Sequence, residues 1–134
     1  MRTLRHTLRI SAVFFAALLL SVAFGKRAAP LDVEPIEHAG VRYEAPHWCW
    51  GIESQSPGDL CSNGGIVQAF EARTNRLLWT LRIYTTEYDP DLERDVQDVF
   101  ITSLSIDGIH LIVENEQGAV FAVDLQTHDV SRRE

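Results

Sequence analysis

The residues of this chain best equipped for chemistry are its two cysteines, Cys49 and Cys61, which flank the polar loop Glu53-Ser54-Gln55-Ser56-Pro57-Gly58-Asp59. In an oxidising compartment two thiols at this separation most simply form a disulfide. Closing a loop of that size contributes on the order of 3 kcal/mol through chain entropy. The alternative is a metal or redox site that adds His47, although three potential ligands fall short of the usual four-ligand structural site. A second cluster is acidic, with Asp89, Asp91, Glu93 and Asp95 inside the run Glu87 to Asp98. Calcium takes several carboxylate oxygens, so these four are the candidate metal ligands; the spacing lacks the glycine and terminal Glu of an EF-hand loop, and the competing reading is a solvated face. A third cluster is aromatic, His47-Trp48-Cys49-Trp50-Gly51-Ile52. On a strand Trp48 and Trp50 share one face, either as a core plug anchored by the disulfide or as an exposed platform for sugar, peptide or polyphenol. Each aromatic buries about 150–250 Å², and a small domain needs that area, which favours the plug.

No catalytic constellation accompanies these clusters. A Gly-x-Ser-x-Gly elbow, a Gly-rich phosphate loop, a His-Glu-x-x-His helix and a dinucleotide fingerprint are all missing from the sequence. His110 and His128 are isolated at strand or turn positions and read as structural. The expectation is a non-enzymatic chain with no cofactor.

The elements that must position these groups are dominated by a repeat. Gly65-Ile66-Val67-Gln68-Ala69-Phe70-Glu71-Ala72-Arg73-Thr74-Asn75-Arg76-Leu77 returns as Gly118-Ala119-Val120-Phe121-Ala122-Val123-Asp124-Leu125-Gln126-Thr127-His128-Asp129-Val130, a period of 118 − 65 = 53 residues. Gly, Val, Ala and Thr coincide, an acid aligns with an acid, and an aliphatic residue closes both copies. This is a strand entered through glycine and closed by a tight turn. Leu77 to Tyr84 continues the first copy as a second strand, with Leu77, Trp79, Leu81 and Ile83 on one face. Phe100 to Ile106 alternates, Asp107-Gly108 signals a two-residue hairpin, and Ile109 to Glu114 returns. Between the copies, Asp89 as N-cap, Pro90 at the first helical position and the spacing of Leu92, Val96 and Val99 predict a short amphipathic helix.

The run from Gly65 to Trp79 resembles the repeat of quinoprotein-type β-propellers, through Ala69, Glu71, Thr74, Asn75, Arg76 and Trp79. Asn75 stands where that repeat has Gly and Glu71 where it has Asp; Asn also accepts the left-handed backbone region. The second copy keeps Gly118, Ala122, Asp124 and Thr127, with His128 at the turn and Arg132 in place of the Trp. The likeness covers roughly residues 63 to 130 and implies blade-like strand–turn–strand geometry. It does not carry the pyrroloquinoline quinone of that family to this chain, because a propeller closes about four to eight blades around an axis and the likeness spans roughly one and a half.

Arg2, Arg5 and Arg9, followed by the apolar stretch Ile10 to Phe24 and the small-residue run ending at Gly25, form a secretory signal, residues 1–25. About 15 apolar residues fall short of the roughly 20 of a bilayer span, so contact with the membrane is expected only through this segment if it stays uncleaved. The expected location is periplasmic or extracellular. Without residues 1–25 the chain has 134 − 25 = 109 residues and a formal charge of 9 − 19 = −10. That acidity argues against nucleic acid, whose phosphates demand clustered Lys and Arg. The expected organisation is a Pro- and acid-rich lead (26–46) with a short strand at Val41-Arg42-Tyr43, a blade-like β domain (47–130) and a frayed tail (131–134). The fold class is all-β, an antiparallel meander of about six to seven strands with one short helix. Its open sheet edges suit binding or assembly with an envelope protein or a second copy; the alternative is a cofactor-bearing quinoprotein-like fragment or subunit.

Overall fold

A computed structural model describes residues 30–47, 65–93 and 96–134. The signal segment, Trp48, Cys49, Trp50, Cys61 and Asp95 lie outside the described residues. Alternating sequence and tight turns produce eight strands among the described residues, in two antiparallel meanders. The first is β1 (Ile36–His38), β2 (Val41–Glu44), β3 (Ile66–Glu71) and β4 (Leu77–Arg82). The second is β5 (Ile101–Asp107), β6 (His110–Asn115), β7 (Val120–Asp124) and β8 (Val130–Arg133). Each sheet runs in chain order. The fold is all-β, as its alternating segments require.

The repeat becomes identical local geometry. Gly65 and Gly118 enter their strands at φ 78° and 76°, and Asn75 and His128 close the turns at φ 60° and 64°. Asn75 N donates to Glu71 O and Glu71 N to Arg76 O, each at 2.8 Å. The second copy reproduces both bonds, from His128 N to Asp124 O at 2.8 Å and from Asp124 N to Asp129 O at 2.9 Å. Ala72 N reaches back to Gly40 O at 2.9 Å and Leu125 N to Ile109 O at 3.0 Å, tying each turn to the first hairpin of its sheet.

Four expectations change. The lead supplies β1 and β2, joined by a turn in which Ala39 and Gly40 both have positive φ (51° and 77°). The hairpin of the second sheet pairs Asp107 with His110, so its loop is Gly108-Ile109, with Gly108 alone at positive φ, as a glycine-first turn requires. Where a helix is expected after Asp89, the described residues form a turn at Pro90-Asp91 with Gln97 folded back onto the carbonyls of Asp89, Leu92 and Glu93, and residues 94–95 of that expected helix lie outside the described residues. Residues 131–133 pair with β7 as part of β8, since Val130 opposite Val123 anchors them.

One core joins the sheets. Val67, Ala69, Leu111, Val113 and Val123 are fully buried and belong to a single cluster with Tyr43, Ala45, Ile83 and Ile101. Each such aliphatic side chain contributes about 1.5–3 kcal/mol by leaving water. The stacking is head-to-tail. Val67 and Ala69 face the second sheet, whereas their repeat counterparts Val120 and Ala122 alternate with Val123, which fills the shared core, and so point away from the first.

Candidate functional site

The two copies differ at β4 and β8, and this difference builds the site. Phe70 pairs with Leu77 but Ala69 pairs with Trp79, leaving Leu78 as a bulge. In the second sheet Val123 pairs with Val130, Ala122 with Ser131 and Phe121 with Arg132, with no extra residue. A one-residue offset reverses the face of every side chain beyond it. Trp79 therefore follows Ala69 toward the second sheet, and Arg132, its counterpart in sequence, follows Phe121 toward the first. Trp79 enters the layer between the sheets, whereas Arg132 stays exposed at its rim. Trp79 packs 5.8 Å from the Tyr43 ring and 4.9 Å from the His128 ring, filling its part of the layer.

Around Arg132 the layer is open. A cavity of about 290 Å³ lies between the segment that leaves β4, the β6–β7 turn and β8, with Tyr84, Glu87, Gln97, Val99, Phe121 and Arg132 in its wall. Tyr84 and Phe121 stack at 5.2 Å, and the Tyr84 hydroxyl donates to Val99 O at 2.7 Å. Burial, reinforced by the charge of Glu116, holds the Tyr84 hydroxyl well above its ordinary pKa, so it stays a neutral donor. Asn115 is buried beside it; its carbonyl oxygen accepts from Gln117 N (3.1 Å) and Ala119 N (2.9 Å), which fixes the β6–β7 turn. Among the described residues, neither Glu87 nor Arg132 has a hydrogen-bond or ion-pair partner.

The acidic run takes a different form from a cation loop. Asp89 Oδ1 accepts from Asp91 N at 2.9 Å, and the Gln97 side-chain amide donates to Asp89 O, Leu92 O and Glu93 O at 3.1–3.2 Å. Gln97 Oε1 accepts from Asp89 N at 2.6 Å. A side-chain amide thus occupies the point where three carbonyls converge. Asp89, Asp91 and Glu93 are exposed, and among the described residues no three acidic, His or Cys side chains converge as a metal site. His47 is buried against the Phe100 ring at 5.0 Å, with Nε2 donating to Ile101 O at 3.0 Å and Nδ1 3.9 Å from Asp32 Oδ1. His47 therefore stitches the end of β2 to β5.

The outer faces are polar. On the first, Arg42 pairs with Glu44 at 2.7 Å, donates to Asn75 and covers the Phe70 ring at 5.2 Å. On the second, Arg133 pairs with Asp107 at 3.0 Å. The outermost strand of the first sheet, β4, begins with two exposed leucines, Leu77 at 48% and Leu78 at 38%. The bulge puts Leu77 outside the core that the alternation predicts for it. Among the described residues no helix is long and apolar enough to cross a membrane.

Two of these features had signals in the sequence that simple alternation does not decode. The extra residue in Leu77-Leu78-Trp79, set against Val130-Ser131-Arg132, is visible only when the copies are paired strand by strand. Glu87 was one acid among many until the chain turned it toward Arg132's cavity. No protein-family profile matches the chain, and no curated protein matches it either.

Proposed function

We propose that this chain is an exported, non-enzymatic β module that assembles with an envelope partner through the free edge of its first sheet. The observation that carries this reading is the exposed Leu77-Leu78 pair on β4, which among the described residues has β3 on one side only. An unpaired strand edge offers a row of amide and carbonyl groups to an extended segment, and adjacent apolar side chains give that segment something to cover. The four-stranded order of each sheet supports a blade-like reading of the repeat, and the secretory signal and the flanking pair Cys49 and Cys61 support an oxidising location.

The test is sedimentation combined with capture from an envelope extract, comparing the natural chain with the double variant Leu77→Glu/Leu78→Glu. The natural chain should self-associate or hold a partner that the variant releases. A strictly monomeric chain that retains nothing, or retains the same material after both substitutions, defeats the reading.

A further inference from the structure

We propose that the cavity between the sheets is a binding site for a small zwitterion of the α-amino-acid class, independent of the β4 edge. Two oppositely charged side chains, Arg132 and Glu87, line one cavity of about 290 Å³ and do not pair with each other or with any other group among the described residues. The volume sits at the low end of small-molecule sites, which sets the ligand at amino-acid rather than cofactor size.

Arg132 is there for a structural reason. Without a bulge in β8 it pairs with Phe121 and so takes that residue's face, whereas its neighbour Arg133 takes the opposite face and is neutralised by Asp107 at 3.0 Å. Two adjacent arginines therefore have different roles, one closing a surface ion pair and one facing an open cavity. A guanidinium offers two parallel N–H donors to a carboxylate, the geometry that a free amino acid presents. Glu87, on the segment leaving β4, supplies the counter-charge for the ammonium group. The stacked rings of Tyr84 and Phe121, with Val99 beside them, form the apolar wall for the ligand's side chain. The Tyr84 hydroxyl is occupied by Val99 O, so the wall is held in place before any ligand arrives.

Calorimetry on the purified chain decides the matter with L-leucine as probe, N-acetyl-L-leucine to remove the positive end and L-leucinamide to remove the negative end. L-leucine should bind saturably, and each one-ended relative should bind about tenfold more weakly, a step of about 1.4 kcal/mol. Arg132→Gln and Glu87→Gln should each weaken L-leucine by at least about that factor, while Arg133→Gln leaves it unchanged. Thermal melts of the three variants separate lost binding from lost folding. The proposal is overturned by the absence of saturable L-leucine binding, by equal losses in Arg133→Gln and Arg132→Gln, or by N-acetyl-L-leucine matching L-leucine with Glu87→Gln unaffected. Release of a partner by the Leu77/Leu78 variant is read separately, so either proposal can fail alone.

Discussion

The first and second sheets share a turn but not a face. Glu71 to Arg76 and Asp124 to Asp129 make the same backbone bonds with the same left-handed residue at the same step. Yet Leu111 and Val113 of β6 fill the core, while Arg42 and Glu44, the matching positions of β2 counted from the hairpin, lie on an outer face and pair with each other. The connections differ too: residues 45–65 join β2 to β3 in the first sheet, whereas 116–119 join β6 to β7 in the second. A duplicated hairpin thus specifies its own bend, and the head-to-tail stacking decides which side of each ribbon becomes interior. Identical units meet through unlike surfaces, as in any heterologous contact.

The largest test of that contrast is truncation at the matched positions. Leu111 is fully buried, so Leu111→Ala should cost about 2–5 kcal/mol through lost transfer energy and the cavity left behind. Arg42→Ala removes a partly exposed ion pair and a cation–π contact, so it should cost no more than about 1 kcal/mol. Urea unfolding of both variants measures the difference. Equal losses would mean that the outer face of the first sheet is as structurally committed as the inner face of the second.

A smaller effect separates the two entry glycines. Both have φ near 77°, so replacement by alanine costs each about 1–2 kcal/mol of backbone strain. At Gly118 a Cβ would meet nothing within 4 Å, whereas at Gly65 it would sit 2.8 Å from the backbone oxygen of Tyr84 and 3.0 Å from its ring. Gly65 O also accepts from Ile83 N at 2.7 Å, which pins the approach. Gly65→Ala should therefore lower the melting temperature clearly more than Gly118→Ala. Similar shifts would show that the start of β3 can move away from Tyr84 at little cost.

How much of this was legible in the sequence follows the range of the forces involved. Turn residues act locally, so the repeat and the all-β class could be read from Gly65, Thr74, Gly118 and Thr127, and a hairpin from Asp107-Gly108. Propensity alone does not decide the start of the acidic connection, because Asp89 and Pro90 suit a helix start and a turn equally well, and the side-chain clasp by Gln97 favours the turn at Pro90-Asp91. Alternation misplaced Leu77, because a bulge is a pairing event between strands. In the sequence Arg132 is only a departure from the repeat; its direction depends on register in β8 and on the packing of the other sheet. The cavity combines segments far apart in sequence, 84–87, 97–99, 115–121 and Arg132, and has no local signature.

The smallest contrast is electrostatic and lies within the shared turn. Asp124 accepts from Gln126 N at 2.7 Å and Thr127 N at 2.9 Å, and these backbone bonds hold its carboxyl below the usual carboxylate range. Glu71, one methylene longer, instead accepts from the Thr74 hydroxyl and lies 4.0 Å from Arg76. A depressed folded-state pKa gives stability that is present above the unfolded value and lost as pH falls through the folded one. The natural chain should therefore lose stability as acid protonates Asp124 below about pH 4, the ordinary carboxylate value. Asp124→Asn keeps the acceptor oxygen but removes the titration, so its acid-side slope should be shallower than the natural chain's. Melts between neutral pH and strong acid compare the slopes. An Asp124→Asn slope as steep as the natural chain's would mean that this turn does not carry the acid-sensitive charge.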